Sequence, residues 1–406
     1  MGRSFWLLYS GETASAVGTA ASVVGLPVVC LHLTGDVRQA GLTGTALSLG
    51  ILAARLPAGA AADRYDRRTI MIVGDLLGAF VLGSLAVMLA CSWAPAPVLM
   101  VAAALLGATG STLAPAENAA VRSWVPEESL PQALSLLQAR AAVALIIGPL
   151  AGGALLMLDA PWIFAADAST YLVAAVCLAA MGRGPRVEAS AERGLRGAMA
   201  GLRFIARSPF LRYAAINATV VNLVFNGLLI VIVASVADGG GGEAGVGLQT
   251  AALGAGGLVG SLIAVPAAKR AAPAWGIATA TALIAGSLFL FALLHSGWAA
   301  GVCLIAASAT APVITVLISV VQMRITPPEL QGRVHSGVGF LAQTASPLGP
   351  VLAGASTHAL GITHTVVIAA CAVLSVAAAG LAAGVKAPLG LPAPHGPATP
   401  LESRCD

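Results

Sequence analysis

The sequence predicts an all-α membrane protein of about twelve transmembrane helices in two pseudo-symmetric six-helix halves. Three observations carry that prediction. The composition is 58% hydrophobic and 9% charged, with a mean hydropathy of +0.90, whereas soluble domains carry about a quarter charged residues. Apolar runs of membrane-crossing length recur from end to end. Special residues also repeat at a fixed shift of 201 positions: Gly148-Pro149 meets Gly349-Pro350, Gly153 meets Gly354, Pro126 meets Pro327, Glu128 meets Glu329, Gly59 meets Gly260 and Arg68 meets Lys269. Parallel repeats of this kind are a known transporter construction.

The runs place spans at 5–31, 40–62, 69–92, 95–118, 133–157, 161–182, 212–237, 246–268, 273–294, 298–323, 336–358 and 362–385. Backbone groups in lipid must be satisfied within the segment, so each run is helical. The first is too long for a signal-peptide core and contains Glu12, so it stays as a span. Four segments follow: an N-terminal half (1–182), a charged central loop (183–211), a C-terminal half (212–385) and a Pro-rich, disordered tail (386–406). Within the loop, Leu195, Met199, Leu202 and Ile205 share one helical face, as in an interfacial amphipathic segment.

Arg and Lys set the orientation. They gather in alternate gaps, at Arg3, Arg64 to Arg68, Arg122, the central loop, Lys269-Arg270, Arg324 and Arg333, and the tail, while the opposite gaps hold only Arg38. Both termini are expected in the cytoplasm. This pattern is a topology signal, so the net charge of +4 does not point to nucleic acid. Of the six cysteines, all but Cys405 fall in apolar runs without a CxxC pair and are expected to be small buried hydrophobes. The chain has no P-loop, no H-E-x-x-H and no nucleophile with an organised base, so neither enzyme chemistry, a cofactor nor a metal is expected.

The sharpest motif joins spans two and three: Gly59-Ala-Ala-Ala-Asp63-Arg64-Tyr-Asp66-Arg67-Arg68. Glycine permits close helix approach, and the Asp and Arg residues can pair at the membrane edge. A second pattern, Gly148-Pro149-Leu-Ala-Gly152-Gly153, gives span five a proline and a small-residue face. The first closely resembles the signature loop of the major facilitator superfamily. That resemblance implies a conformational gate built from Gly59, Asp63, Arg64, Arg67 and Arg68, which Asp75, Glu117 and Arg122 can join. The second copy, Gly260 to Lys269-Arg270, lacks the Asp-Arg pair. The span-five pattern resembles the antiporter motif of facilitator exporters, with Ala144 where a glycine is usual, and implies export. Phe5 to Gly18, Ala114-Pro115-Ala-Glu-Asn118, Asp167-Ala-Ser-Thr-Tyr171 and Thr326 to Val334 further resemble the macrolide and enterobactin efflux group.

Charges inside spans are costly and functional by default. Glu12 lies about two turns into span one and Arg140 at similar depth in span five. A carboxyl whose distance to an arginine changes with conformation can load and release a proton, although the same two groups would also serve as a structural ion pair. Structural roles are expected for Asp75, Glu117 and Asp167. Arg55, and Asn222 with Asn226 one turn apart in span seven, are further candidates for a proton or substrate site. Together these features predict a secondary transporter, working as a monomer in a bacterial inner membrane and exchanging protons for an amphiphilic small molecule. Nutrient import, or a receptor or scaffold without transport, are the alternatives.

Overall fold

A computed structural model describes residues 2–182, 195–239, 241–270, 273–294, 297–327 and 330–382. The expected tail and residues 183–194 of the central loop lie outside the described residues, as do the side chains of residues 58–64 and of Arg122. The described residues form fourteen α-helices and a 3-10 turn. In the first half these are α1 (Arg3–Thr34), α2 (Val37–Arg64), α3 (Arg67–Ala90), α4 (Ala96–Trp124), α5 (Leu130–Leu156) and α6 (Ala160–Ala179). A short helix, α7 (Leu195–Arg207), precedes the second half: α8 (Pro209–Asp238), α9 (Gly242–Arg270), α10 (Pro273–Leu293), α11 (Gly297–Ile325), α12 (Gln331–Thr344), α13 (Leu348–Leu360) and α14 (Ile362–Ala382).

Ten of these helices are long and apolar enough to cross a membrane. The more polar α2 and the α12–α13 pair complete the twelve. The expected continuous span over 336–358 is therefore corrected to two helices with a break at residues 345–347. Pro347 has no N–H to continue the ladder; the Gln343 carbonyl accepts from the Ser346 N–H at 3.1 Å, and the carbonyl of Pro347 itself accepts from the other half, from the Thr45 hydroxyl at 3.0 Å. Its repeat partner α5 has Ile146 at the corresponding position and runs unbroken.

The amphipathic segment of the central loop is helical as expected, but it docks on protein. Ile205 is 3% exposed, and a Cβ added to Gly337 of α12 would lie 2.9 Å from its Cδ1. The cysteines also divide. Cys30 and Cys303 are buried, whereas Cys91, at the end of α3, and Cys371, on α14, are exposed. All the described cysteines are free thiols.

Glycines set the helix approaches and reveal the true register of the repeat. A Cβ on Gly148 would meet the Val17 carbonyl of α1, and one on Gly349 the Leu223 carbonyl of α8. A Cβ on Gly153 would lie 3.2 Å from Gly247 Cα of α9, and one on Gly354 3.2 Å from Gly41 Cα of α2. The shift of 201 thus holds for α5 against α13, but α1–α2 match α8–α9 with a shift of 206 (17 to 223, 41 to 247). The second half is five residues shorter before α11. This corrects the pairing of Gly59 with Gly260 and of Arg68 with Lys269. By the structural shift of 206, the end of α2 at Asp63-Arg64 matches the end of α9 at Lys269-Arg270.

Candidate functional site: an acidic cluster inside the first half

Four helices of the first half bring charge together. Glu12 (α1), Asp75 (α3) and Glu117 (α4) are 7%, 0% and 7% exposed. Arg140 of α5 points its guanidinium fork at Glu117, with Nη1 donating to Oε1 and Nη2 to Oε2, the latter at 2.7 Å. The pair is well enclosed, at 13% and 9% side-chain exposure. Such a bidentate contact is the strongest geometry open to these groups. Glu12 lies within electrostatic reach of Asp75, Glu117 and Arg140, and Asp75 within reach of Glu117.

The cluster is unbalanced. Three carboxyls gather around one buried guanidinium's ion pair, and Glu117 takes its fork. Glu12 Oε1 and both Asp75 oxygens are buried without a hydrogen-bond partner, as is Arg140 Nε. The local sequence explains how Asp75 is carried so deep. Cβ atoms on its neighbours Gly74 and Gly78 would lie 2.8 Å from Leu113 of α4 and 2.9 Å from Tyr171 of α6. Small residues on either side of Asp75 thus let α3 sink between two helices.

The other candidate residues fall into separate places. Arg68 donates to the carbonyls of Leu178 (2.8 Å) and Ala179 (2.6 Å) at the end of α6. It supplies cation and donors where a helix leaves carbonyls unpaired. Asp66 accepts from the Thr69 hydroxyl at 3.1 Å, Arg67 is half-buried, and Arg55 is exposed on α2. The side chains of Gly59, Asp63, Arg64 and Arg122 lie outside the described residues. Glu117 takes Arg140 of α5 as its partner.

The glycine pattern of α5 serves two neighbours. Gly148 and Gly152 seat α1, at Ala20 and Ala21, while Gly153 and the Pro149 carbonyl seat Gly247 of α9. Sequence reasoning missed the receiving glycines Gly41, Gly44, Gly247 and Gly254. The helical spacing of small residues in spans two and eight was the available signal. The inter-half contacts of α2 with α13 and of α5 with α9 both lie toward one end of the molecule. There His32 Nε2 also lies 3.9 Å from Glu243 Oε1, and His358 Nδ1 3.8 Å from Asp36 Oδ1. The hydrogen-bonded Arg38 guanidinium beside Asp36 holds that carboxyl below the usual carboxylate range.

In the second half the asparagines do different work. Asn222 and Asn226 are half-buried and donate back to the carbonyls four residues earlier, each at 2.8 Å. Asn217, set aside from that face, is fully buried and ties α8 to α10 through the Thr281 hydroxyl at 2.8 Å.

Known proteins share this architecture. The chain is 28% identical to the "Multidrug efflux pump Tap" of Mycolicibacterium fortuitum over 375 residues, covering 88% of this chain and 90% of that protein. The protein of the same description in Mycobacterium tuberculosis (strain ATCC 25618 / H37Rv) is 28% identical over 377 residues, covering 90% of this chain and 89% of the relative. Among solved structures, a bacterial homologue of the human lysosomal transporter Spinster, inward-facing and unoccupied, superposes with a TM-score of 0.75 at 16% identity, covering 95% of this chain and 96% of the other. The nucleoside transporter NupG gives 0.76 at 11% identity, covering 93% and 99%. At these identities the two structures establish the fold. The family model of the Major Facilitator Superfamily matches residues 8–350, and the chain belongs to that superfamily of membrane transporters.

Proposed function

We propose that the protein is a proton-coupled exporter of amphiphilic small molecules, working by alternating access in a bacterial inner membrane with both termini cytoplasmic. The observation that carries this reading is the acidic cluster, in which Glu12 and Asp75 keep buried, unpartnered carboxyl oxygens beside an Arg140–Glu117 pair. Proton coupling needs a carboxyl that exchanges a proton when its surroundings change. A buried acid within reach of an engaged arginine supplies it, because a shift of α5 against α1 alters the field at Glu12. The direction of transport rests on the Tap relatives, whose description is efflux.

In this reading the segments 1–182 and 212–385 are the two rocking units and 183–211 is their connection. In the same reading the end where α5 meets α9 and α2 meets α13 is the external one. Rocking would separate Gly153 from Gly247 and Gly41 from Gly354, and the loop at Gly59 to Arg68 would close the opposite end. The monomer is, in this reading, the transporting unit.

The test is accumulation of fluorescent dyes and macrolides in efflux-deficient bacterial cells, with and without a protonophore. Expression of the wild type lowers accumulation, and the protonophore or Glu12→Gln abolishes the difference. Accumulation that is lowered equally in the presence of the protonophore would sink proton coupling. No change across a broad panel would sink efflux of such compounds.

A further inference from the structure

Across from the face of α1 that turns away from the acidic cluster, α6 carries a buried acid that the proposed mechanism does not use. A groove of about 730 Å³ runs between α1, α5 and α6. Its floor is the α1 stripe that includes Trp6, Tyr9, Thr13 and Val17, and its deepest polar groups are Asp167 and Thr170 of α6. Val17 and Glu12 are five residues apart, which turns them about 140° around the helix. The groove and the acidic cluster therefore lie on different sides of α1. Trp6, at the rim, is 51% exposed, so the groove opens sideways from the first half.

We propose that this groove is a membrane-facing binding site for a hydrophobic monocation, with Asp167 as its counter-ion. Asp167 is 1% exposed, and its Oδ2 has no hydrogen-bond partner. Its polar neighbours are hydroxyls: Thr170 donates to Oδ1 at 3.1 Å, and Ser22 approaches from α1. Among the described residues no cationic side chain acts on it, and the buried Arg140 guanidinium is held by Glu117. An acid placed in a membrane helix without a protein counter-ion is a functional-site hypothesis on physical grounds.

The space around it is shaped for a guest. Gly18 stands over the carboxyl, and a Cβ there would collide with Asp167 Oδ1 and Thr170 Oγ1. The remaining walls are mostly small or aliphatic, such as Ala151 and Ile163. Trp6 and Tyr9 add aromatic faces that attract a cation. A carboxylate repels an anion, and a neutral guest would leave it unpaired, so an organic cation with an apolar body is the complementary occupant. The site goes beyond the proposed export cycle, since binding from the bilayer needs no turnover.

The test is photo-crosslinking of a diazirine-bearing triphenylphosphonium to the purified protein in phosphatidylcholine nanodiscs, with adducts mapped by peptide mass spectrometry. Adducts are expected at Trp6, Tyr9 and Ile163, competed by tetraphenylphosphonium but not by a neutral triphenylmethane of similar size. Asp167→Asn lowers the yield at these positions tenfold or more. Ala151→Trp, which fills the groove and leaves Asp167 intact, does the same while the protein stays monodisperse on gel filtration. This second variant keeps the test decisive should Asp167→Asn fail to fold. Equal labelling in both variants, adducts confined to other faces, or equal competition by the neutral compound would overturn the proposal. So would phosphatidylcholine retained by the wild type and lost from Asp167→Asn without any labelling by the cation. Because the readout is equilibrium labelling, its failure is distinct from a failure of proton-coupled export.

Discussion

The two halves share a fold but divide its chemistry. Under the shifts that align their packing, Glu117 corresponds to Ile318, Arg140 to Leu341 and Glu12 to Ala218. Among the described residues, the first half buries Glu12, Asp75, Glu117 and Asp167, whereas the buried polar groups of the second half are uncharged, such as Asn217, Thr281, Ser308 and Gln322. The helix-seating glycines, by contrast, are kept on both sides, with Gly148 and Gly153 answered by Gly349 and Gly354. Packing geometry is thus symmetric and charge is not. A rocking fold needs matched contact surfaces in both halves, but a proton needs only one place to bind.

The largest effect that tests this division falls on the unpartnered acids. Glu12→Gln and Asp75→Asn are each expected to reduce protonophore-sensitive export about 10²-fold, the scale of a lost proton-transfer group. Asn222→Leu in the second half is expected to leave coupling intact and to alter only which compounds are exported. Loss of coupling in Asn222→Leu with normal coupling in Glu12→Gln would reverse the comparison.

Next comes the ion pair. Removing one partner of a buried pair leaves an uncompensated charge and costs about 3–5 kcal/mol, while replacing both with apolar groups is near neutral or stabilising. Glu117→Ile alone and Arg140→Leu alone should therefore unfold at clearly lower temperature in detergent. The double variant, which writes the second half's residues into the first, should recover stability yet remain inactive in export. A double variant as unstable as the singles would mean that the pair holds the helices together, and the two halves would then differ in architecture too.

How far the sequence carried this picture follows from what each signal depends on. Hydropathy, the Arg pattern and the repeat are one-dimensional properties, so the spans, the two halves and the paired glycines of α5 and α13 could be read directly, while the glycines that receive them, such as Gly41 and Gly247, could not. Which acid meets which base depends on rotation about helix axes. Arg140 was matched to Glu12 by depth alone, and the structure turns its fork to Glu117. Asp75, assigned a place near the membrane edge, is sunk between helices by Gly74 and Gly78. The break at Ser346-Pro347 is hidden in the sequence because proline is tolerated inside membrane helices, and the bond from Thr45 of the other half to the Pro347 carbonyl exists only in three dimensions.

Symmetry of packing gives a smaller but sharper pair of outcomes. A Cβ at Gly153 would sit 2.9 Å from the Glu243 carbonyl oxygen, and one at Gly354 2.9 Å from that of Val37. Gly153→Val and Gly354→Val should each wedge the same end of the molecule open. Cysteine labelling at that end should rise to a similar degree in both variants, and export should fall several-fold in each. An effect confined to Gly153 would show that one of the two crossings, rather than both, governs closure.

The smallest effect concerns how the second half does without charge. Asn217 donates to the Thr281 hydroxyl at 2.8 Å, joining α8 to α10, and both side chains are 0% exposed. Hydrogen bonds between membrane helices average about 0.6 kcal/mol in double-mutant cycles, far below the cost of breaking a buried ion pair. The cycle built from Asn217→Leu and Thr281→Val should accordingly return a coupling of about that size. Its coupling should not change with pH between 5 and 8, since neither an amide nor a hydroxyl titrates there. If instead it matched the ion pair in size, the second half would own an anchor of equal strength made from neutral groups. The charges of the first half would then have no structural justification and could be explained only by function, which is what the accumulation experiments on Glu12 and Asp75 measure independently.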